Sequence, residues 1–259
     1  MKVSTWNVNG IRARESQLFD WLHLERPDVV CLQEIKASPE QLPETLRELP
    51  GYWGLWHGGK GYSGVSVHLS RDAFPDAPAF GHPEFDVENR AVVADAGELS
   101  IASIYVPNGN KDYLGKVRFL EAMAAWVAER HAAGRRLIVC GDLNVARTER
   151  DVHPKLRKPT EIGQTPAEQA LLEQILARGL VDLLRGFDPD NDRLFTWWAP
   201  WRNLRERNIG WRLDYVLASE PLAAGAVGCR ALREFGSSDH GPVVADFAPR
   251  AVTRGPSRA

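Results

Sequence analysis

Apolar residues gather in short runs closed by turn formers, and such runs recur along the whole chain. Val3 to Val8, Asp28 to Gln33, Gly64 to Leu69, Ala91 to Asp95, Leu99 to Val106, Leu137 to Cys140, Leu213 to Ala218 and Val243 to Phe247 have the length and boundaries of strands. Between some of them the spacing changes to that of a helix, over Glu15 to Glu25, Gln41 to Leu49, Lys116 to Ala132 and Pro166 to Ala177. In the third, Val117, Leu120, Ala124 and Val127 fall on one face, and Gly134 follows as a C-terminal cap. The fourth opens at Thr165-Pro166-Ala167-Glu168, where a capping threonine, a first-turn proline and a returning glutamate coincide. Many strands with helices between only some of them predict a layered α/β sandwich of mixed sheets.

Polar residues of one kind collect where these strands stop. Asn7 and Asn9 are two apart, so in an extended chain they project to the same side, as do Asp142 and Asn144 after the run that ends at Cys140. The second pair sets an acceptor that can take a proton from water beside an amide that can orient the water. Glu34 closes a third apolar strand and suits a hard cation as an oxygen ligand. Ser237 to Pro242 supply Asp239 and His240 just before the last strand. An Asp or Asn after a strand more often marks a turn. It is the set of carboxylates, amides and imidazole at strand ends that points to hydrolysis.

Composition narrows the setting. A chain of 259 residues, 44% hydrophobic and 25% charged, is ordinary for one large globular domain, taken here as residues 1–248. Residues 249–259, rich in Pro, Gly, Ser and Arg, are expected to form a flexible tail. No leader or membrane-spanning pattern is visible, which predicts a cytoplasmic protein without membrane contact. Cys31, Cys140 and Cys229 lack metal-ligand spacing and are expected to stay reduced, the first two in apolar runs. A net charge of -2 gives no general attraction to nucleic acid, so binding would need a local basic surface. Two segments offer one: Arg150, Lys155, Arg157 and Lys158, and Arg202, Arg205, Arg207 and Arg212 among tryptophans.

The motifs resemble those of the exodeoxyribonuclease III and AP endonuclease family, within the DNase I-like Mg²⁺-dependent phosphodiesterases. The matching segments are residues 6–13, 32–36, 61–65, 105–109, Gly141-Asp142-Leu143-Asn144, 210–215 and Ser238-Asp239-His240, in the family's order. The resemblance implies a four-layer sandwich, two mixed sheets face to face with helices outside, and a monomer acting on duplex DNA that is abasic or damaged at a 3′ end. It assigns Glu34, Asp239 and Asn9 to Mg²⁺, which Mn²⁺ could replace, and Asp142 to the attacking water. Asn144 and Asn7 would place water and phosphate, His240 would donate to the phosphate, and Asp214 would hold its ring. Tyr105 would bind phosphate or share in proton transfer. Asn9 stands where animal relatives carry aspartate, so the metal has one fewer anionic ligand.

The same resemblance places a small pocket for a baseless sugar at Trp197, Trp211 and Leu213, with Trp198 as core. Arg12, Lys36, Tyr62, Lys111 and Asn208 match positions that contact DNA. The expected activity is cleavage 5′ to abasic sites, with 3′ to 5′ exonuclease and 3′-end-cleaning action. Because the fold also serves other phosphodiesterases, the aromatic segments are what select this substrate.

Overall fold

The computed structural model describes residues 1–248, so the expectation for the tail lies outside the described residues. The strands are β1 (Lys2–Asn7), β2 (Val29–Gln33), β3 (Tyr52–His57), β4 (Val65–Ser70), β5 (Ala79–Gly81), β6 (Ala91–Ala96), β7 (Leu99–Tyr105), β8 (Arg136–Asp142), β9 (Leu180–Asp182), β10 (Asp214–Ser219), β11 (Ala226–Ala231) and β12 (Val243–Phe247). They form two six-stranded sheets, ordered β11-β12-β1-β2-β4-β3 and β5-β6-β7-β8-β10-β9. Each is mixed: β1–β2 and β7–β8 run parallel, and the remaining pairs antiparallel.

Alternation along the central strands decides the layers. Val3, Val29, Cys31, Val67, Ile101, Ile138, Cys140, Val216 and Ala245 meet between the sheets. The opposite residues of the first sheet, Trp6, Val30 and Leu32, pack outward with Leu18 and Trp21 of α1 (Glu15–Glu25) and Leu46 of α2 (Glu44–Arg47). On the other outer face Leu137, Val139, Tyr215 and Leu217 meet α3 (Tyr113–Ala132) and α4 (Pro166–Leu176). Short helices α5 (Leu183–Phe187) and α6 (Glu220–Ala223) flank β9 and β10. This is the expected four-layer sandwich.

Local chemistry explains the boundaries. At the start of α4 the Thr165 hydroxyl accepts the Glu168 amide, and Glu168 returns to the Thr165 backbone, as expected from the sequence. Helix α3 begins at Tyr113, three residues before the expected start at Lys116, because Asp112 caps it by accepting from the Gly115 amide. The helix expected over Gln41 to Leu49 divides instead: Pro43 cannot donate within a helix, leaving a 3-10 turn at Pro39–Gln41 and the single turn of α2. Strands β3, β5, β9 and β11 escaped the apolar pattern. Gly54 lies within β3 because a Cβ there would fall 2.1 Å from the buried His68 ring on β4. Among the described residues no helix is long and apolar enough to cross a membrane. Cys31 and Cys140 are buried free thiols.

Candidate active site

The register of the second sheet lines up the last residues of β7 and β8 with the first residue of β10, so that Asp142 pairs with Tyr105 on one side and with Asp214 on the other. In the first sheet, β1 ends at Asn7 and β2 leads directly into Glu34. Asn7 and Asp142 share the inward faces of their strands, so the polar ends of both sheets meet where the inter-sheet core stops. One step deeper, Gln33 bridges the sheets by accepting from the Thr5 hydroxyl and donating to Ser103 Oγ at 3.0 Å.

Asn7 joins the acids across the gap. Its Nδ2 donates to Asp142 Oδ2 at 2.9 Å and to Glu34 Oε1 at 3.0 Å. His240 enters from the loop before β12; its Nδ1 is 2.9 Å from Asp214 Oδ2, and its Nε2 lies 3.8 Å from Asp142 Oδ2. The Ser238 hydroxyl ties this loop to β1 by donating to the Asn7 carbonyl, and Trp6 Nε1 donates to the His240 carbonyl. Asp214 Oδ1 is a buried oxygen without a protein partner.

Both central strands stop in the same way. Asn9 and Asn144 adopt left-handed φ values of 44° and 49°, and their amides donate to Asn7 Oδ1 and Asp142 Oδ1. Asparagine tolerates this conformation better than most residues. The expectation that each pair extends along one strand face is therefore corrected: the second member lies in a turn beyond the strand. Asn144 still reaches the site, with Nδ2 donating to the Val106 carbonyl and lying 3.3 Å from Asp142 Oδ2.

Glu34, Asp142 and His240 bring ligand atoms within 4.8 Å of one another. Two carboxylates make a hard donor set, and the Lys36 ammonium sits 2.8 Å from Glu34 Oε2, so the position favours positive charge. The residues present therefore fit a divalent cation. Asn9 and Asp239, expected as further ligands, instead bond each other at 2.8 Å, and Lys36 donates to Asn9 Oδ1. They frame the cation-binding group from one side. Lys36, expected against DNA, is likewise turned into the acid cluster.

Burial would raise Glu34, but the Asn7 amide, Lys36 and the His240 charge outweigh it and hold the carboxyl below its ordinary value. Burial raises Asp142; His240 pulls it part of the way back, while Asp214 and Glu34 add to the rise. Burial would lower His240, yet Asp214 and Asp142 overcome it and raise the imidazole. Tyr105 is driven up by burial and by the charges of Glu34 and Asp142, so its phenol keeps its proton.

Beside His240 stands an aromatic wall. Trp197 and Trp211 meet edge to face with centroids 5.7 Å apart, and Trp197 lies 6.5 Å from the His240 ring. Leu213, Val152 and Ala146 back Trp211. Gly210 permits the approach, since a Cβ there would lie 2.3 Å from the Trp197 carbonyl. Trp197 Nε1 donates to Asp239 Oδ2, coupling the wall to the acid side of the site. Trp198 is core, as expected.

The surface expectations fare unevenly. Arg212 is not part of a basic surface: it is fully buried between Asp151 and Asp182. Arg205 is drawn inward by four backbone carbonyls between Arg233 and Ser238. Asn208, expected against DNA, is buried, accepting from Trp198 Nε1 and donating to the Arg193 carbonyl. Arg12 is exposed beyond β1, and Tyr62 and Lys111 line a groove with Glu88, Arg90 and Arg118. Arg90 was missed by sequence reasoning: it lies beneath this groove, donates to the Tyr62 hydroxyl, and stacks 4.7 Å from the Tyr105 ring. An arginine just before an apolar strand was the only signal. Lys116, which the sequence marked only as the start of the third helix, pairs its ammonium with Glu168 in full burial and donates to the Asn144 carbonyl.

Residues 4–240 match the model of the Endonuclease/Exonuclease/phosphatase family. The chain belongs to that family. Among its relatives, DNA repair nuclease APEX1 of Danio rerio is 33% identical over 94% of this chain and 81% of its own length. The exodeoxyribonuclease of Bacillus subtilis is 31% identical over 94% of this chain and 98% of its own. An AP endonuclease structure from Archaeoglobus fulgidus superposes with a TM-score of 0.86 at 30% identity, covering 95% of this chain and 99% of the other. The match to the family spans the whole constellation from Asn7 to His240.

Proposed function

We propose that this family member is a DNA repair nuclease that hydrolyses the phosphodiester 5′ to abasic sites in duplex DNA. We include 3′ to 5′ exonuclease action and removal of 3′ blocking groups in the same proposal, with Mg²⁺ as the metal, Mn²⁺ as a substitute, and the monomer as the working form. The observation that carries the reading is the Asn7 bridge between Asp142 and Glu34, with His240 3.8 Å from Asp142 on the far side. An acceptor for a water proton, an acidic cation site and an imidazole donor thus surround one small space. Nothing in the set requires a covalent intermediate.

Bound Mg²⁺ would offset negative charge on the phosphate oxygens. Asp142 takes the proton from the attacking water or orients it, and Asn144 and Asn7 hold the carboxylate's lone pairs in place. His240, raised and held by Asp214, donates toward the phosphate as charge builds in the transition state. Tyr105 serves as a hydrogen-bond donor, since a phenol that keeps its proton is no base. Trp197, Trp211 and Leu213 supply an apolar recess beside His240 that suits a sugar without its base. The relatives named for DNA repair and abasic-site cleavage support the same substrate.

A timed digestion of three labelled duplexes tests the proposal: one abasic, one with a recessed 3′-hydroxyl, one with a 3′-phosphate. Incision 5′ to the abasic site, dependent on Mg²⁺ and stopped by EDTA, is the expected result. Cleavage of a generic phosphodiester without preference for the abasic duplex would assign the chain another substrate of the same fold.

A further inference from the structure

A second group of ligating side chains lies away from the acid cluster. His57 ends β3, His82 follows β5, and Asp86 lies in the loop before β6, with one ligand atom of each within 4.8 Å of the others. Of these strands, β3 and β5 are the edges of opposite sheets. The His57 and His82 rings stack at 4.4 Å, and His57 Nε2 contacts Asp86 Oδ2 at 2.6 Å.

The carboxylate is oriented before any ligand arrives. Asp86 Oδ1 accepts the backbone amides of Arg90 at 2.7 Å and Ala91 at 2.8 Å, leaving Oδ2 turned to the histidines. This is how a supporting layer of hydrogen bonds fixes a metal ligand. His57 and Asp86 are mostly buried, whereas His82 is exposed and free to adjust. Ligands about 2.0–2.1 Å from a tetrahedral ion stand roughly 3.3 Å apart. The His57–Asp86 contact would open slightly from 2.6 Å and His82 would draw in toward the other two.

We propose that His57, His82 and Asp86 form a second metal site, selective for a borderline divalent ion such as Zn²⁺, that staples the edges of the two sheets. Two imidazoles and one carboxylate favour zinc, nickel or copper over magnesium, which prefers oxygen alone. The staple is structural. It fixes the Asp86–Arg90 loop, whose Arg90 supports Tyr62 and Tyr105, and leaves solvent at the remaining coordination position.

The test uses the full chain stripped with EDTA and returned to excess Mg²⁺, which occupies the oxygen-rich site. Equilibrium dialysis against micromolar Zn²⁺ should leave one zinc per chain and raise the Tm, by mass action on the folded state. Co²⁺ in its place should give a visible absorption band characteristic of nitrogen and oxygen ligation. His82→Ala, at an exposed position, should fold normally, weaken zinc binding at least about tenfold, abolish the Tm rise and lose the cobalt band. Its Mg²⁺-dependent nuclease activity should match the unmodified chain. Failure of the unmodified chain to retain zinc, or zinc retention unchanged in His82→Ala, overturns the proposal.

Discussion

At the residue scale, the chemistry concentrates in a few atoms whose surroundings assign them different tasks. Asp142 and His240 face each other in burial, one raised toward accepting a proton and the other raised toward holding one. Asp142→Asn and His240→Asn should each lower kcat by roughly 100- to 10,000-fold, the range that proton transfer contributes. DNA affinity should remain close to normal, because both side chains act on charge that appears only in the transition state. Single-turnover cleavage beside equilibrium binding checks this, and kcat within tenfold of normal would refute the assignment. This arrangement was largely legible in sequence, since the strand ends announced Asn7, Glu34, Asp142 and His240, while Asp214 came only with the family resemblance. The contacts of Asn9 and Asp239 with each other were not legible, because a left-handed turn after β1 brings Asn9 to Asp239 and Lys36. Backbone handedness of that kind leaves no trace in apolar spacing.

At the scale of elements, two contacts decide how the site is held. Lys116 on α3 and Glu168 on α4 form a fully buried pair, and the same ammonium donates to the Asn144 carbonyl. Lys116→Met would strand the Glu168 charge, and removing one partner of such a pair costs about 3–5 kcal/mol. Urea unfolding should show that loss, and adding Glu168→Leu should recover much of it. The aromatic wall is a separate unit. Trp197→Ala with Trp211→Ala should lower the ratio of incision at an abasic site to incision at an intact nucleotide, while hydrolysis at the metal persists. Circular dichroism on the same preparation must show a folded chain; a folded double variant with unchanged preference would return the tryptophans to packing. The strands that carry the site were readable because they are apolar runs ending in polar motifs. Strands β3, β5, β9 and β11 were not: β5 and β9 span only three residues each, and β3 and β11 each contain glycine and lie at sheet edges. Arg212 misled for the opposite reason, since a charge run in sequence does not reveal that one member is buried between two aspartates.

For the whole molecule, pH should act on stability through a group that takes no part in the chemistry. His68 is fully buried on β4, shares one bond with Ser66 Oγ, and is lowered by burial to about 3. In the unfolded chain a histidine takes its proton near its usual value of about 6.5. Between those limits the unfolded state binds more protons, so stability rises with pH and is lost as pH falls below about 6.5. Urea midpoints at pH 7.5 and pH 5 should therefore differ less in His68→Leu than in the unmodified chain. An equal difference in both would mean that the acid sensitivity resides elsewhere. The ends of the two sheets have a further consequence at this scale. Asn7, Glu34 and His240 come with the first sheet, and Tyr105, Asp142 and Asp214 with the second. Neither half holds an acid, an acceptor and an imidazole together. The first sheet is completed by β11 and β12 from the far end of the chain, so a chain cut short before them carries Glu34, Asp142 and Asp214 but not His240 and should not hydrolyse the phosphodiester.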